Sequence, residues 1–406
     1  MLPFLRRWPL LLPGLLLLGL FLYMTAPGFA GTGDSRHYLW AAYSWREAGR
    51  LLAPDGRLYR YWGPLYPVLL AAFWGPGALR ALHGAALLVQ LGLWGRVGQC
   101  LLPPDRARWL PWLLALSTAV LVPAKFVWSE TVFGALAAAY VFGLLAWVRS
   151  GRAGWLGLAT AAGFLLPLQR TAGFFWLVGV GVGLLLTGQG RGRVWPLLGH
   201  WALCAAGGLA WSYYAEMLAG PPTYQTKTVW DALGSVADYG YVLTRWFLPL
   251  AASWRGLLPL VWALTLPVVL YGLFPKREWV TMAKDASFAS PTALRGQRLL
   301  WWTVMLTLLA LLLATAAHRA AAGPHNVERY CAVLAGPVLL LALAWWPGVV
   351  AVRLPGRGAW RRWMGCLLLG LWLAYSAVRA GHNVQQQRQQ KVLVEWPAGA
   401  RQPIRL

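Results

Sequence analysis

Four ionisable residues carry the types and spacing that invite chemistry. Asp34 stands in Gly33-Asp34-Ser35-Arg36-His37-Tyr38, and Glu130 in Trp128-Ser129-Glu130-Thr131. Arg170 stands in Leu168-Gln169-Arg170-Thr171, and Arg329 in Glu328-Arg329-Tyr330. A carboxylate beside a hydroxyl can take its proton, and general-base help of this kind gives about 10²–10⁴-fold. Arginine is the side chain that grips a phosphate with two N–H groups at once. Plainer readings stand beside these. Asp34 also suits the N-cap of a helix over 35–48, closed by Gly49, where it would contribute about 1 kcal/mol. Glu130 suits a helix start, where the dipole favours an acid. Both arginines could simply snorkel from helix ends.

The elements that must position these residues are hydrophobic helices. The chain has 406 residues, 59% of them hydrophobic and 12% charged, against about 25% charged in soluble domains. Continuous apolar runs long enough to cross the roughly 30 Å hydrocarbon core recur along it. Their lack of alternation excludes a transmembrane β-barrel. About eleven membrane helices are predicted, near 8–28, 79–101, 109–123, 127–148, 154–168, 172–187, 195–215, 256–274, 299–317, 331–350 and 363–379. The N-terminal run reads as an uncleaved first helix rather than a signal peptide, because no A-x-A site follows it. The reading is an all-α, polytopic bundle over 1–380, with a polar tail at 381–406 that is poorly ordered or loosely docked. Two long external segments, 29–78 and 216–255, interrupt it. The first is predicted to hold an amphipathic surface helix with Tyr38, Ala41, Ala42 and Trp45 on its apolar face. A second short stretch follows Pro64.

The net charge of +24 would suggest nucleic acid in a soluble protein. Here, basic cytoplasmic loops account for much of it, so no nucleic-acid partner is expected. Lys and Arg are divided nearly evenly between the two faces. The acids are not: Asp105, Glu278 and Asp285 fall on one side. Asp34, Glu47, Asp55, Glu130, Glu216, Asp231, Asp238, Glu328 and Glu395 fall on the other. The N-terminus is therefore placed inside and the C-terminus outside. Cys100, Cys204, Cys331 and Cys366 show no spacing for a disulfide or a zinc site. His83 and His200 read as interfacial helix residues.

The order of these motifs relative to the helices resembles the GT-C superfamily of membrane glycosyltransferases, such as the protein mannosyltransferases and the lipid A aminoarabinose transferases. The resemblance rests on Asp34 after the first helix and on the block Gly63-Pro64-Leu65-Tyr66-Pro67. Trp128 to Thr131, Leu168 to Gly173 and Glu328 to Tyr330 extend it. Two departures are visible: Ser35 stands where many members have a second acid, and no soluble C-terminal domain follows. The resemblance implies a lipid-linked donor, a sugar on polyprenyl phosphate, used on the external face of the inner or plasma membrane, with inversion. The acceptor would be a glycan, a lipid or a protein. It implies Asp34 as the base and Glu130 as a second carboxylate. Arg329, Arg170 and Lys125 would hold the donor phosphate, and His37, Tyr38 and Tyr66 are candidates for the acceptor or sugar. A divalent cation (Mg, Mn or Zn) is the candidate cofactor, with Asp34, Glu130 and His325 as its ligands. Two rival readings are a transporter or flippase of lipid-linked sugars and a non-catalytic membrane assembly protein. A transporter predicts mid-helix charges, broken helices and inverted repeats, whereas the charges here sit at helix ends and no repeat is visible.

Overall fold

The computed structural model describes residues 10–60, 62–189, 192–219, 229–250, 291–317, 324–345 and 358–396. The predicted helix 256–274 lies outside them, as do 220–228 and 251–255 of the second long segment, whose remainder holds a helix over Val229–Arg245. Regular structure among the described residues is helical, apart from three isolated β-bridges. The helices are α1 (Leu11–Thr25), α2 (Gly33–Ala48), α3 (Leu65–Ala72), α4 (Pro76–Leu101), α5 (Pro104–Ala107), α6 (Leu110–Ala115), α7 (Thr118–Lys125) and α8 (Glu130–Ser150). They continue as α9 (Ala153–Gln169), α10 (Ala172–Leu186), α11 (Val194–Ala219), α12 (Val229–Arg245), α13 (Pro291–Ala317), α14 (Pro324–Ala332), α15 (Ala335–Ala344) and α16 (Gly358–Arg388).

Four segments among the described residues are long and apolar enough to cross a membrane: Pro104–Lys125, Glu130–Ser150, Thr292–Thr315 and Trp363–Arg388. A bent pair, α14 with α15, makes a fifth if counted as one span, and α1, α9 and α10 are shorter apolar helices. This is the organisation of a multi-pass membrane protein. The first of the four is broken into α5, α6 and α7, with Pro111 in the first turn of α6 and Pro123 inside α7. Proline lacks the N–H that an unbroken helix needs.

Helix α8 is central. It packs on α4 and α9, while α9 packs on α11 and α10 on α13. Close approach is bought with glycine at Gly336, where a Cβ would lie 2.3 Å from the Trp94 ring and push α15 off α4. The α14–α15 pair bends by 69°, so Arg329 lies in its own short helix instead of opening a helix over 331–350. The bend is closed by the Leu334 N–H donating to the Cys331 carbonyl at 2.8 Å.

Two further expectations are corrected. Trp45 is 41% exposed, and the buried face of α2 is Ser35, Tyr38, Leu39, Ala41, Ala42 and Ser44. Helix α16 runs across position 381, and the tail residues up to 396 are docked, one of the two states expected of them. Gly31 N–H donates to the Val392 carbonyl at 3.1 Å, and Val394 N–H to the Phe29 carbonyl at 2.9 Å. His83 and His200 are buried in α4 and α11 rather than interfacial. His83 Nδ1 donates to the Ala124 carbonyl at 3.2 Å, so Nε2 accepts from the Tyr66 hydroxyl at 2.9 Å.

Candidate active site

Backbone pairing first brings two motifs together. Ala30 N–H donates to the Lys125 carbonyl at 3.0 Å, and Val127 N–H to the Ala30 carbonyl at 3.3 Å. This short parallel bridge sets the start of α2 beside the start of α8. Thr32 then caps α2: its Oγ1 accepts the Ser35 N–H at 3.3 Å and the Trp128 indole N–H at 2.9 Å. Asp34, expected as the cap, sits instead in the first turn with its carboxylate free of the capping bond.

That carboxylate meets Arg329. Arg329 Nη1 lies 2.6 Å from Asp34 Oδ2, and its Nε lies 2.6 Å from Glu130 Oε1. Arg170 Nη1 closes on the same Glu130 oxygen. The four residues from α2, α14, α8 and the end of α9 therefore form one chain, Asp34–Arg329–Glu130–Arg170. The Arg329 guanidinium stacks 4.0 Å over Trp128, which also stacks parallel on Phe126 at 4.0 Å. A cation fixed over an aromatic face in a desolvated setting gains about 2 kcal/mol, and here its direction is fixed too.

The segment between α2 and α3 supports the chain from the other side. Gly63 lies against the end of α9 so closely that a Cβ would sit 2.0 Å from the Leu168 carbonyl oxygen. Next to that contact, Gln169 donates to the Ser129 carbonyl at 3.0 Å and Arg170 to Ser129 Oγ at 3.3 Å. The Tyr38 hydroxyl lies 3.2 Å from the same Ser129 Oγ. Tyr38 packs among Tyr66, Trp62 and Tyr59, with centroids at 5.0, 5.1 and 6.5 Å. Sequence reasoning placed Trp128, Ser129 and Gln169 in motifs without giving them a role, and left Thr32 and Tyr59 out.

The two carboxylates are unequal. The Asp34 side chain is 32% exposed, the Glu130 side chain 1%. Glu130 Oε1 is shared by two guanidinium groups, while Oε2 is buried without a hydrogen-bond partner. Of the two carboxylates, Asp34 is the one that solvent reaches, while Glu130 is enclosed between the two arginines.

The remaining expected site residues divide. Lys125 is buried, and its ammonium donates to the carbonyls of Met24 at 3.0 Å and Gly28 at 2.7 Å, where α1 ends. Its ammonium is turned to these two backbone carbonyls at and just beyond the helix end, so it is not placed with the two arginines. Tyr38 and Tyr66 are fully buried. They offer no surface to a sugar and act as packing beneath α2. Burial raises both phenols well above their ordinary range. His37 is half-buried, with its ring 5.8 Å from that of Trp62. Burial lowers its pKa, opposed in part by Asp34.

The metal expectation fits poorly. Among the described residues no three of His, Cys, Asp and Glu come together, and the His325 side chain lies outside them. Asp34 and Glu130 already face guanidinium cations, which would repel a divalent ion at the same oxygens. No step is routed through a metal here.

No family model and no curated protein matches the chain. Solved structures do match. A crystal structure of ArnT from Cupriavidus metallidurans bound to undecaprenyl phosphate aligns over 94% of this chain and 76% of its own, at 14% identity and TM-score 0.54. The apo form of that protein aligns over the same shares at 16% identity and TM-score 0.52. At such identity the likeness speaks for architecture alone: this chain has a GT-C-like fold.

Proposed function

We propose that this protein is an inverting membrane glycosyltransferase, moving a sugar from a polyprenyl-phosphate donor to an acceptor hydroxyl on the external face of the cell membrane. The observation that carries this reading is the Asp34–Arg329–Glu130–Arg170 chain, with only Asp34 open to solvent at one end. The ligand of the structural neighbour, undecaprenyl phosphate, supports a donor of that lipid class.

In this mechanism the donor enters laterally from the outer leaflet. Its phosphate meets the N–H groups of Arg329 and Arg170 that Glu130 leaves unused. Arg329 Nη1 is the group that Asp34 holds, so phosphate competes with Asp34 for it and releases the carboxylate as donor binds. The acceptor hydroxyl gives its proton to Asp34 and its oxygen attacks the anomeric carbon. The bond from that carbon to the phosphate oxygen breaks, and the polyprenyl phosphate leaves with its extra charge on the arginines. Guanidinium groups aimed where charge develops are the largest single source of such catalysis. Attack opposite the leaving group inverts the anomeric centre.

The bent α14–α15 pair is a feature that transporters share. Its arginine is nonetheless committed to two carboxylates at helix ends, which favours chemistry over passage. Purified protein in lipid, given a panel of polyprenyl-phosphate sugars and membrane extract as acceptor, should release polyprenyl phosphate with inverted product. No release from any donor would reject the enzyme and favour the transporter or assembly reading.

A further inference from the structure

A second charged site lies at the opposite end of α8. That helix has 21 residues, so its ends are about 30 Å apart. Glu130 opens it and Arg149 stands in its last turn. There Arg149, Arg193 and Arg295, from α8, the approach to α11 and α13, line a cavity of about 520 Å³ together with Gln189 and Thr292. At a water's share of ~30 Å³, this space holds a headgroup rather than a bare ion.

None of the three arginines is ion-paired to a carboxylate among the described residues. Two are held in place by other means. Arg149 donates to the Cys100 carbonyl at 3.4 Å, and Arg193 to the Trp147 carbonyl at 3.3 Å while stacking on the Trp147 ring at 5.0 Å. Gly151, in the left-handed region at φ 69°, turns the chain out of α8 beside the Arg193 guanidinium. The Gln189 side-chain oxygen is buried there without a partner. Arginines that merely snorkel need share no site; these three, two of them partly in solvent, come from two helices and the turn before a third to line one concave space. Beside it, Leu185, Leu186 and Trp195 are 60%, 58% and 83% exposed, an apolar flank suited to acyl chains.

We infer that this cavity binds an anionic phosphate group, the headgroup of an acidic phospholipid on the membrane face opposite Asp34. Basic pockets between membrane helices take such headgroups. The site is independent of the transfer reaction and would stand if that reading failed.

The test is binding by calorimetry to purified protein in neutral detergent. The probes are dihexanoyl phosphatidylglycerol, dihexanoyl phosphatidylcholine and inorganic phosphate. The net-anionic lipid should bind wild type. It should lose on the order of 100-fold in affinity in the R149Q/R193Q/R295Q variant, and be unaffected by Arg152→Gln, a neighbouring arginine outside the cavity. Arg295→Gln alone touches no backbone carbonyl bond, so it keeps the fold if the triple variant does not, and should lose several-fold. Inorganic phosphate binding as tightly as the lipid would keep the phosphate site and assign its source to a soluble anion. Phosphatidylcholine binding equally, an unchanged affinity in these variants, or no binding of either anionic probe would overturn the inference.

Discussion

The buried chain of charges predicts an asymmetry between its members. Glu130 receives two guanidinium groups, whereas Arg329 serves two carboxylates, one of which keeps a second cation. Glu130→Gln therefore removes the shared negative charge from both arginines at once and leaves an amide oxygen in its place. Removing one partner from a buried ion pair costs about 3–5 kcal/mol, and the 1% exposure of Glu130 leaves little water to offset it. Arg329→Gln leaves Glu130 still paired to Arg170 and strands only Asp34, which is 32% exposed. Its cost should be nearer that of one charge-assisted hydrogen bond, about 1.5–3 kcal/mol. Because the two residues touch, the double variant should cost at least ~1 kcal/mol less than the sum of the singles. Tryptophan fluorescence during denaturant unfolding in mixed micelles measures all four proteins. Additive costs within about 0.5 kcal/mol, or a greater loss from Arg329→Gln than from Glu130→Gln, would refute the shared-carboxylate arrangement.

Other expectations come from single contacts. Gly63→Ala places a methyl 2.0 Å from the Leu168 carbonyl and should cost about 1–3 kcal/mol by overpacking. Gly33→Ala, where nothing lies within 4 Å, is the neutral comparison, and thermal unfolding of both decides it. The folded-state pKa of His37 is lowered by burial, so the unfolded chain binds its proton first on acidification. Its contribution is constant above the unfolded value near 6.5 and falls as pH drops through that value toward the lower folded one. His37→Gln should flatten stability between about pH 7.5 and 5, and an unchanged pH profile would remove His37 as a cause. Lys125→Met should lower stability, because the carbonyls of Met24 and Gly28 lose their donor, while leaving KM for the lipid donor unchanged. A raised KM without loss of stability would return Lys125 to the phosphate.

The four charged residues were legible because each interrupts or abuts an apolar run, where an ion needs a partner. Their partners were less so. The sequence reading took Asp34 as the N-cap, whereas Thr32, two residues earlier, makes that bond, with the Trp128 indole from 96 residues away lying on it. Lys125 stands close to Glu130 in sequence, yet as the last residue of α7 it turns back to α1. The bend after α14 falls in the apolar run Cys331 to Leu334, which carries no turn residue to announce it. The docking of the tail rests on backbone bonds to Phe29 and Gly31, which side-chain types do not encode. The basic cavity was visible only as scattered basic loops, because its convergence depends on how α8, α11 and α13 pack.

Asp34 is the point on which the transfer reading turns. Wild type and Asp34→Asn should be compared in lipid, with turnover read as released polyprenyl phosphate and affinity for polyprenyl phosphate measured in parallel. The account predicts that turnover falls by about 10²–10⁴-fold while the variant stays folded and still binds the lipid phosphate, since Arg329 and Arg170 remain. Turnover retained in Asp34→Asn would contradict it.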